Sequence, residues 1–148
     1  MMYDEEMIAP MREELSSLGI MEARTPEAVD QYLSKPKGTT LLVVNSVCGC
    51  AASNARPAVA LAMTKATKKP ESAITVFAGN DRDATAKARS YLAGYPPSSP
   101  SIALFKDGEV VFMLERHNIE GRTANEIADD LVAAFDKYCE TAASTEMV

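Results

Sequence analysis

Two cysteines one residue apart, in Ser46-Val47-Cys48-Gly49-Cys50-Ala51-Ala52, are the side chains of this sequence best suited to chemistry. An apolar run precedes them and helix formers follow, so the pair is predicted at a strand-to-helix junction. A helix start carries exposed N–H groups and partial positive charge. A thiolate held there is stabilised, its pKa falls, and more of it is nucleophilic near neutral pH. Cys48 is predicted to be the more accessible sulfur and to attack; Cys50, further into the helix, is predicted to resolve. A disulfide closed across one residue makes a tighter ring than one closed across two, which makes the bond more reducible. Gly49 is the residue best able to supply the backbone angles such a ring needs.

Other readings of the pair are weaker. Buried cysteines are common core residues, but adjacency across glycine at such a junction argues for chemistry. Two thiolates are half of a zinc shell, yet only Cys139 and His117, both distant in sequence, remain as further soft or nitrogen ligands. No metal and no prosthetic cofactor are therefore expected, with a two-coordinate copper(I) site as the competing chemistry. Cys139 is read as an ordinary half-buried cysteine, His117 as solvent-facing, and Arg56 as a surface charge about two turns beyond Cys48.

The whole chain limits the function classes. Its 148 residues suit a single domain, 1–148, with a frayed tail over 142–148. The net charge of −6 argues against a nucleic-acid partner. No apolar run reaches membrane-spanning length, and the acidic opening Met1-Met2-Tyr3-Asp4-Glu5-Glu6 is unlike a secretory signal. A cytoplasmic location is expected, where paired thiols more often mean catalysis than a structural staple.

Several elements must position the pair. Met7, Met11, Leu15 and Leu18 suggest a first helix that begins properly at Pro10. Ile20 to Arg24 suggests a short strand, and Thr25-Pro26-Glu27 a helix start with Val29, Tyr32 and Leu33 facing inward. Leu41 to Val44 and Ile74 to Ala78 read as buried strands. Ala51 to Thr67 reads as a helix kinked by Pro57, and Asp81 to Ala93 as another helix. Asp107-Gly108 marks a hairpin between strands at 101–105 and 109–113, and a last helix runs from Thr123 to about Tyr138. The order predicts an α/β domain, a mixed sheet with helices on both faces.

The junction with Pro57, together with Ser99-Pro100-Ser101-Ile102-Ala103-Leu104-Phe105-Lys106-Asp107-Gly108, resembles the thioredoxin superfamily. The resemblance implies a cis proline at Pro100 beside the cysteines, and a Ser99 backbone that pairs with an extended substrate. Thr39 to Pro57 is similar to the bacilliredoxin family, which has a Cys-Gly-Cys centre. So are Thr75 to Gly79, Gly94 to Ser101 and Arg116 to Gly121. The implied fold is a thioredoxin-like three-layer α/β/α sandwich with a mixed central sheet and an extra N-terminal helix. The implied activity is thiol–disulfide exchange on S-thiolated or disulfide-containing client proteins, with bacillithiol as thiol co-substrate. Some members are described as disulfide isomerases. Two departures from ordinary thioredoxins stand out: Val47 occupies the place of a tryptophan, and no aspartate precedes the pair, where Asn45 cannot act as a base. Because the end of a hairpin's second strand lies beside the start of its first, Glu115, Arg116 or His117 is expected near Cys48. Asn45, Arg56, Arg116 and His117 are thus the supporting candidates.

Overall fold

The computed structural model describes residues 3–139, so the tail expected at 142–148 lies outside the described residues. Helix α1 (Glu5–Ser16) is capped by the Asp4 carboxylate, which accepts the Glu6 N–H. It therefore starts before Pro10, not at it. A proline removes one N–H but the cap and acidic first turn secure the start. Its inner face is Ile8, Arg12 and Leu15, whereas Met7 is 49% exposed. The methionine stripe misleads because a charged residue occupies the inner face. Arg12 donates to Asp81 at 2.8 and 2.9 Å and to Glu5 at 3.1 Å. Paired in this way, a guanidinium is tolerated where the hydrophobic pattern leads one to expect a methionine.

The chain continues through β1 (Met21–Glu22), α2 (Pro26–Leu33), β2 (Thr39–Asn45) and a π-helical turn (Ala51–Ala55). It then forms α3 (Arg56–Lys65), β3 (Ser72–Phe77), α4 (Arg82–Ser90), β4 (Ser101–Lys106) and β5 (Glu109–Leu114), and closes with α5 (Arg116–Ile119) and α6 (Ala124–Tyr138). Thr25 caps α2 by accepting the Ala28 N–H, and Thr123 forms a reciprocal capping box with Glu126 on α6. Helix α5 is absent from the pattern-based expectation, being too short to show periodicity. Glu115 and Asn118 close a capping box around it.

The five strands form one sheet in the order β1-β3-β2-β4-β5. β1, β3 and β2 run parallel, and β2-β4 and β4-β5 are antiparallel. β2 is central and all seven of its residues are buried, the behaviour of a strand covered on both faces. Side chains alternate across the sheet. Leu41, Val43, Ile102 and Leu104 pack with α3 and α6 residues such as Val59 and Phe135. Leu42, Val44, Ala103 and Phe105 pack with Val29 of α2 and Ala88 of α4. These are three layers, with α1 added beside α3 and β1.

Pro57 produces a widened helix. The Arg56 N–H reaches back to the Ala51 carbonyl, five residues away, and Pro57 then sits in the first turn of α3. The local widening relieves the clash a proline ring makes with the preceding turn.

Candidate active site

β2 delivers the chain to the cysteines through a short, tightly bonded bend. The Asn45 side-chain oxygen accepts the Ser46 N–H at 2.9 Å, and the Ser46 hydroxyl accepts the Cys48 N–H at 3.2 Å. The Cys48 carbonyl accepts the Ala51 and Ala52 N–H groups at 2.9 and 3.3 Å. Cys48 thus stands just before the first helical turn, with Gly49 and Cys50 already inside it. Gly49 does not have a positive φ, and a side chain built on it would touch nothing. The dithiol form makes no use of the backbone freedom expected of Gly49.

Arg56 is 2% exposed, which corrects the surface reading of it. Its Nη1 donates to the Asn45 side-chain oxygen at 2.9 Å and to the Ser46 carbonyl at 3.0 Å, while its Nε pairs with Glu14 at 3.0 Å. The Asn45 amide in turn donates to the Met11 carbonyl at 3.1 Å. Asn45 and Arg56 therefore meet beneath the bend and hold it against α1.

The Cys48 and Cys50 sulfurs are free and lie 2.7 Å apart. Both cysteines are partly exposed, so accessibility does not separate them. Electrostatics does. The side-chain contact with Cys50 pulls the Cys48 pKa below the ordinary thiol value, helped by the Cys50 and Ala51 N–H groups and the Arg116 charge. Burial, then the same contact, push the Cys50 thiol up. The pair is unequal by surroundings, as a nucleophile and a resolving thiol need to be.

The Ser99–Pro100 peptide is cis and Pro100 is buried. Ser99, Cys48 and Arg116 line one pocket of about 570 Å³, so the hairpin brings both its ends to the cysteines. The Arg116 N–H also donates to the Ser98 hydroxyl at 3.4 Å. His117 points away. Its side chain is 73% exposed, and its carboxylate neighbour is Glu115 at 4.0 Å. Cys139 is buried and not half-buried, at the end of α6, and burial pushes its thiol up. Among the described residues no three histidine, cysteine or carboxylate side chains gather in a way that would hold a metal ion.

Two further residues line the pocket and carry no sequence signal of doing so. Tyr3 comes from the chain start and Arg89 from the last turn of α4. Arg89 stands in the last turn of α4, where a cation complements the helix dipole. Only the packing of α4 beside the end of β3 brings it to the cysteines.

Comparisons with known proteins identify the family and the fold. The sequence model of the family described as "Disulphide isomerase" matches residues 3–139. The protein named bacilliredoxin in Salinibacter ruber is 55% identical over 140 residues, which is 94% of this chain and 82% of that protein. The bacilliredoxin of Bacillus cereus strain ATCC 14579 is 53% identical over 137 residues, 93% of this chain and 95% of that protein. Among solved structures, a mutant thioredoxin from Halobacterium salinarum NRC-1 superposes with a TM-score of 0.55 at 17% identity, covering 82% of this chain and 92% of its own. Reduced Schistosoma mansoni thioredoxin pre-protein gives 0.53 at 15% identity, covering 78% and 97%. The last two establish the fold, which is thioredoxin-like.

Proposed function

The chain belongs to the disulphide isomerase family that includes the bacilliredoxins and is a thiol–disulfide oxidoreductase, and we propose that its Cys48–Gly49–Cys50 centre removes bacillithiol from protein mixed disulfides. The observation that carries the proposal is the contact between the two sulfurs at the helix start, 2.7 Å apart. It favours the thiolate on Cys48 and keeps a protonated thiol on Cys50.

In the proposed reaction the Cys48 thiolate attacks the bacillithiol sulfur of a client mixed disulfide. The client sulfur leaves with the bond's electron pair and takes a proton from water. Cys48 now carries the small thiol in a new disulfide. Cys50 then loses its proton to water or to the departing sulfur and attacks the Cys48 sulfur. Bacillithiol leaves, and the Cys48–Cys50 disulfide holds the two oxidising equivalents until a thiol reductant returns it to the dithiol. The sulfurs carry the electrons, so no prosthetic group is needed. With Asn45 where a carboxylate would serve as base, proton transfer falls to water and the thiolates themselves. In this reading Ser99 offers its backbone to an extended client and Pro100 fixes the loop that presents it, while Asn45, Arg56 and Arg116 position and polarise the centre.

We place the reaction in the cytoplasm, where small thiols cap protein cysteines reversibly. No helix among the described residues is long and apolar enough to cross a membrane. The test is a Cys50→Ala variant expressed in cells and examined by mass spectrometry. A bacillithiol-sized adduct on Cys48 supports the proposal. Client proteins alone on Cys48, with no small thiol, would replace it with general disulfide isomerisation.

A further inference from the structure

We propose that Tyr3 is a substrate-contacting residue of the exchange site, held beside Cys48 by the Asn80 side chain, and that it takes an apolar or aromatic side chain flanking the client cysteine. The inference rests on the thiol-exchange reading above and adds which client segments the site prefers.

Tyr3 lies ahead of α1, and the residue that holds it is 77 positions away. The Tyr3 N–H donates to the Asn80 side-chain oxygen at 2.8 Å, and the Asn80 amide donates back to the Tyr3 carbonyl at 2.8 Å. A side-chain amide carries the same donor and acceptor as a peptide group, so the two bonds do what a neighbouring strand would do. The Asn80 amide also donates to the Glu5 carboxylate at 2.9 Å. Both polar atoms of this buried side chain are thus engaged, as burial of an amide demands.

Helix α1 does not need this clamp in order to start. Asp4 caps it, and Arg12 ties it to Asp81 by two hydrogen bonds. What Asn80 adds is a fixed place for one residue, and that place is the wall of the pocket at Cys48. Among the described residues that line the pocket, Tyr3 is the aromatic one, and Val47, Ala78 and Gly79 are small and apolar. Gly79 has a φ of 98°, which turns the chain between the pocket and the clamp. The volume of about 570 Å³ suits a side chain next to a disulfide, not a folded surface. A tyrosine that only fastened the chain would need neither its ring nor the pocket, because its backbone makes both bonds to Asn80. An aromatic ring held there offers a broad apolar surface at low cost in rotamer freedom.

The same backbone bonds keep the test clean, since Tyr3→Ala removes the ring and leaves the clamp. The full chain is used with Tyr3→Ala, Tyr3→Phe, Asn80→Ala and the Tyr3→Ala/Asn80→Ala double variant. First, N-phenylmaleimide and N-ethylmaleimide are reacted with Cys48, the adduct is located by mass spectrometry, and the ratio of the two rates is taken. The ratio should fall roughly fivefold in Tyr3→Ala and stay near the wild-type value in Tyr3→Phe. Second, cysteine peptides carrying 2-mercaptoethanol as a mixed disulfide are turned over with a dithiol reductant, the cysteine being flanked by phenylalanine or by glycine. Tyr3→Ala should lower kcat/KM roughly fivefold on the phenylalanine peptide, through KM, and leave the glycine peptide within about twofold. Asn80→Ala should reproduce both losses, and the double variant should lose no more than either single one, because Asn80 acts through Tyr3. An unchanged maleimide ratio in Tyr3→Ala, or an equal effect on both peptides, would overturn the contact and leave the exchange reading intact. Wild-type ratios in Asn80→Ala would overturn the positioning role. A Tyr3-dependent maleimide ratio with no turnover of either peptide would keep the contact and sink the exchange reading.

Discussion

The Arg56 guanidinium donates to the Asn45 side-chain oxygen at 2.9 Å, and that same oxygen holds the Ser46 N–H. One acceptor therefore ties α3, the end of β2 and the bend before Cys48 together. Arg56→Ala removes a buried fork and strips the Ser46 carbonyl of its donor. A loss of about 2 kcal/mol is expected, within the range for buried charged hydrogen bonds, measured by urea denaturation of the reduced protein. Slower alkylation of Cys48 at constant pH should accompany it, because the bend that presents the sulfur loosens.

Cys48→Ser should abolish exchange, and Cys50→Ser should accumulate a mixed disulfide on Cys48. Replacing Cys50 with alanine also removes the side-chain contact that most lowers the Cys48 pKa, whereas a serine hydroxyl can still donate. The midpoint of Cys48 alkylation against pH should accordingly move upward in Cys50→Ala. Near neutral pH the wild-type Cys48 should react faster than Cys139, whose thiol is buried and pushed up. Equal rates would remove Cys48 as the nucleophile.

Arg116 and His117 are neighbours in sequence and should behave differently. Arg116 acts on the Cys48 sulfur through its charge, so Arg116→Ala should raise the pH at which Cys48 ionises. His117 is 73% exposed and faces Glu115, so His117→Ala should leave the same titration unchanged. A parallel shift in both variants would mean that α5 acts as a unit and not through one guanidinium.

Gly49→Ala should leave the dithiol protein as stable as before or raise its stability by up to about 1 kcal/mol, since alanine is the better helix former and space is free. Closure of the Cys48–Cys50 disulfide should slow in the same variant, because the ring needs backbone angles that the dithiol does not. A thermal melt and the rate of disulfide formation under a glutathione buffer separate the two effects.

Burial raises the Cys139 pKa, which gives stability a pH dependence of known sign. A raised group stabilises fully below its unfolded pKa, near 8.5 for a thiol, and that contribution is lost as pH rises toward the folded value. Reduced wild-type protein should therefore lose urea resistance as pH rises above the unfolded thiol value of about 8.5. Cys139→Val should show a smaller fall over the same interval.

Local chemistry is what the sequence makes legible. Thr25 and Thr123 announce helix starts, and Asp107-Gly108 announces a hairpin, because each acts on residues within a few positions of itself. The place of Cys48 at a strand–helix junction is legible for the same reason. The alternation of β2 across two cores follows from its unbroken apolar run. Arg12, Arg56 and Arg89 are opaque by contrast. Arg12 meets Asp81 at a separation of 69 residues, and Arg56 meets Glu14 at 42. Periodicity cannot distinguish a guanidinium that finds such a partner from one that faces water. Met7 misleads in the complementary direction, since nothing near it in sequence says that Ile8 takes the inner face.

The hairpin of β4 and β5 works as a ruler whose zero lies at the opposite end of the molecule. Ile102 stands opposite Leu114, so Ser99 before one strand and Arg116 after the other arrive together at the cysteines. That coincidence is set by the turn, where Asp107 and Gly108 both adopt positive φ, and by a one-residue register shift between Leu104 and Phe105 that skips Val111. Six residues of strand separate turn and pocket, roughly 20 Å at about 3.3 Å per residue. A slip of one residue at the turn would present the other face of β5 and withdraw Arg116 from the sulfur. The charge that reaches Cys48 is thus set by a turn and a bulge that both lie away from it.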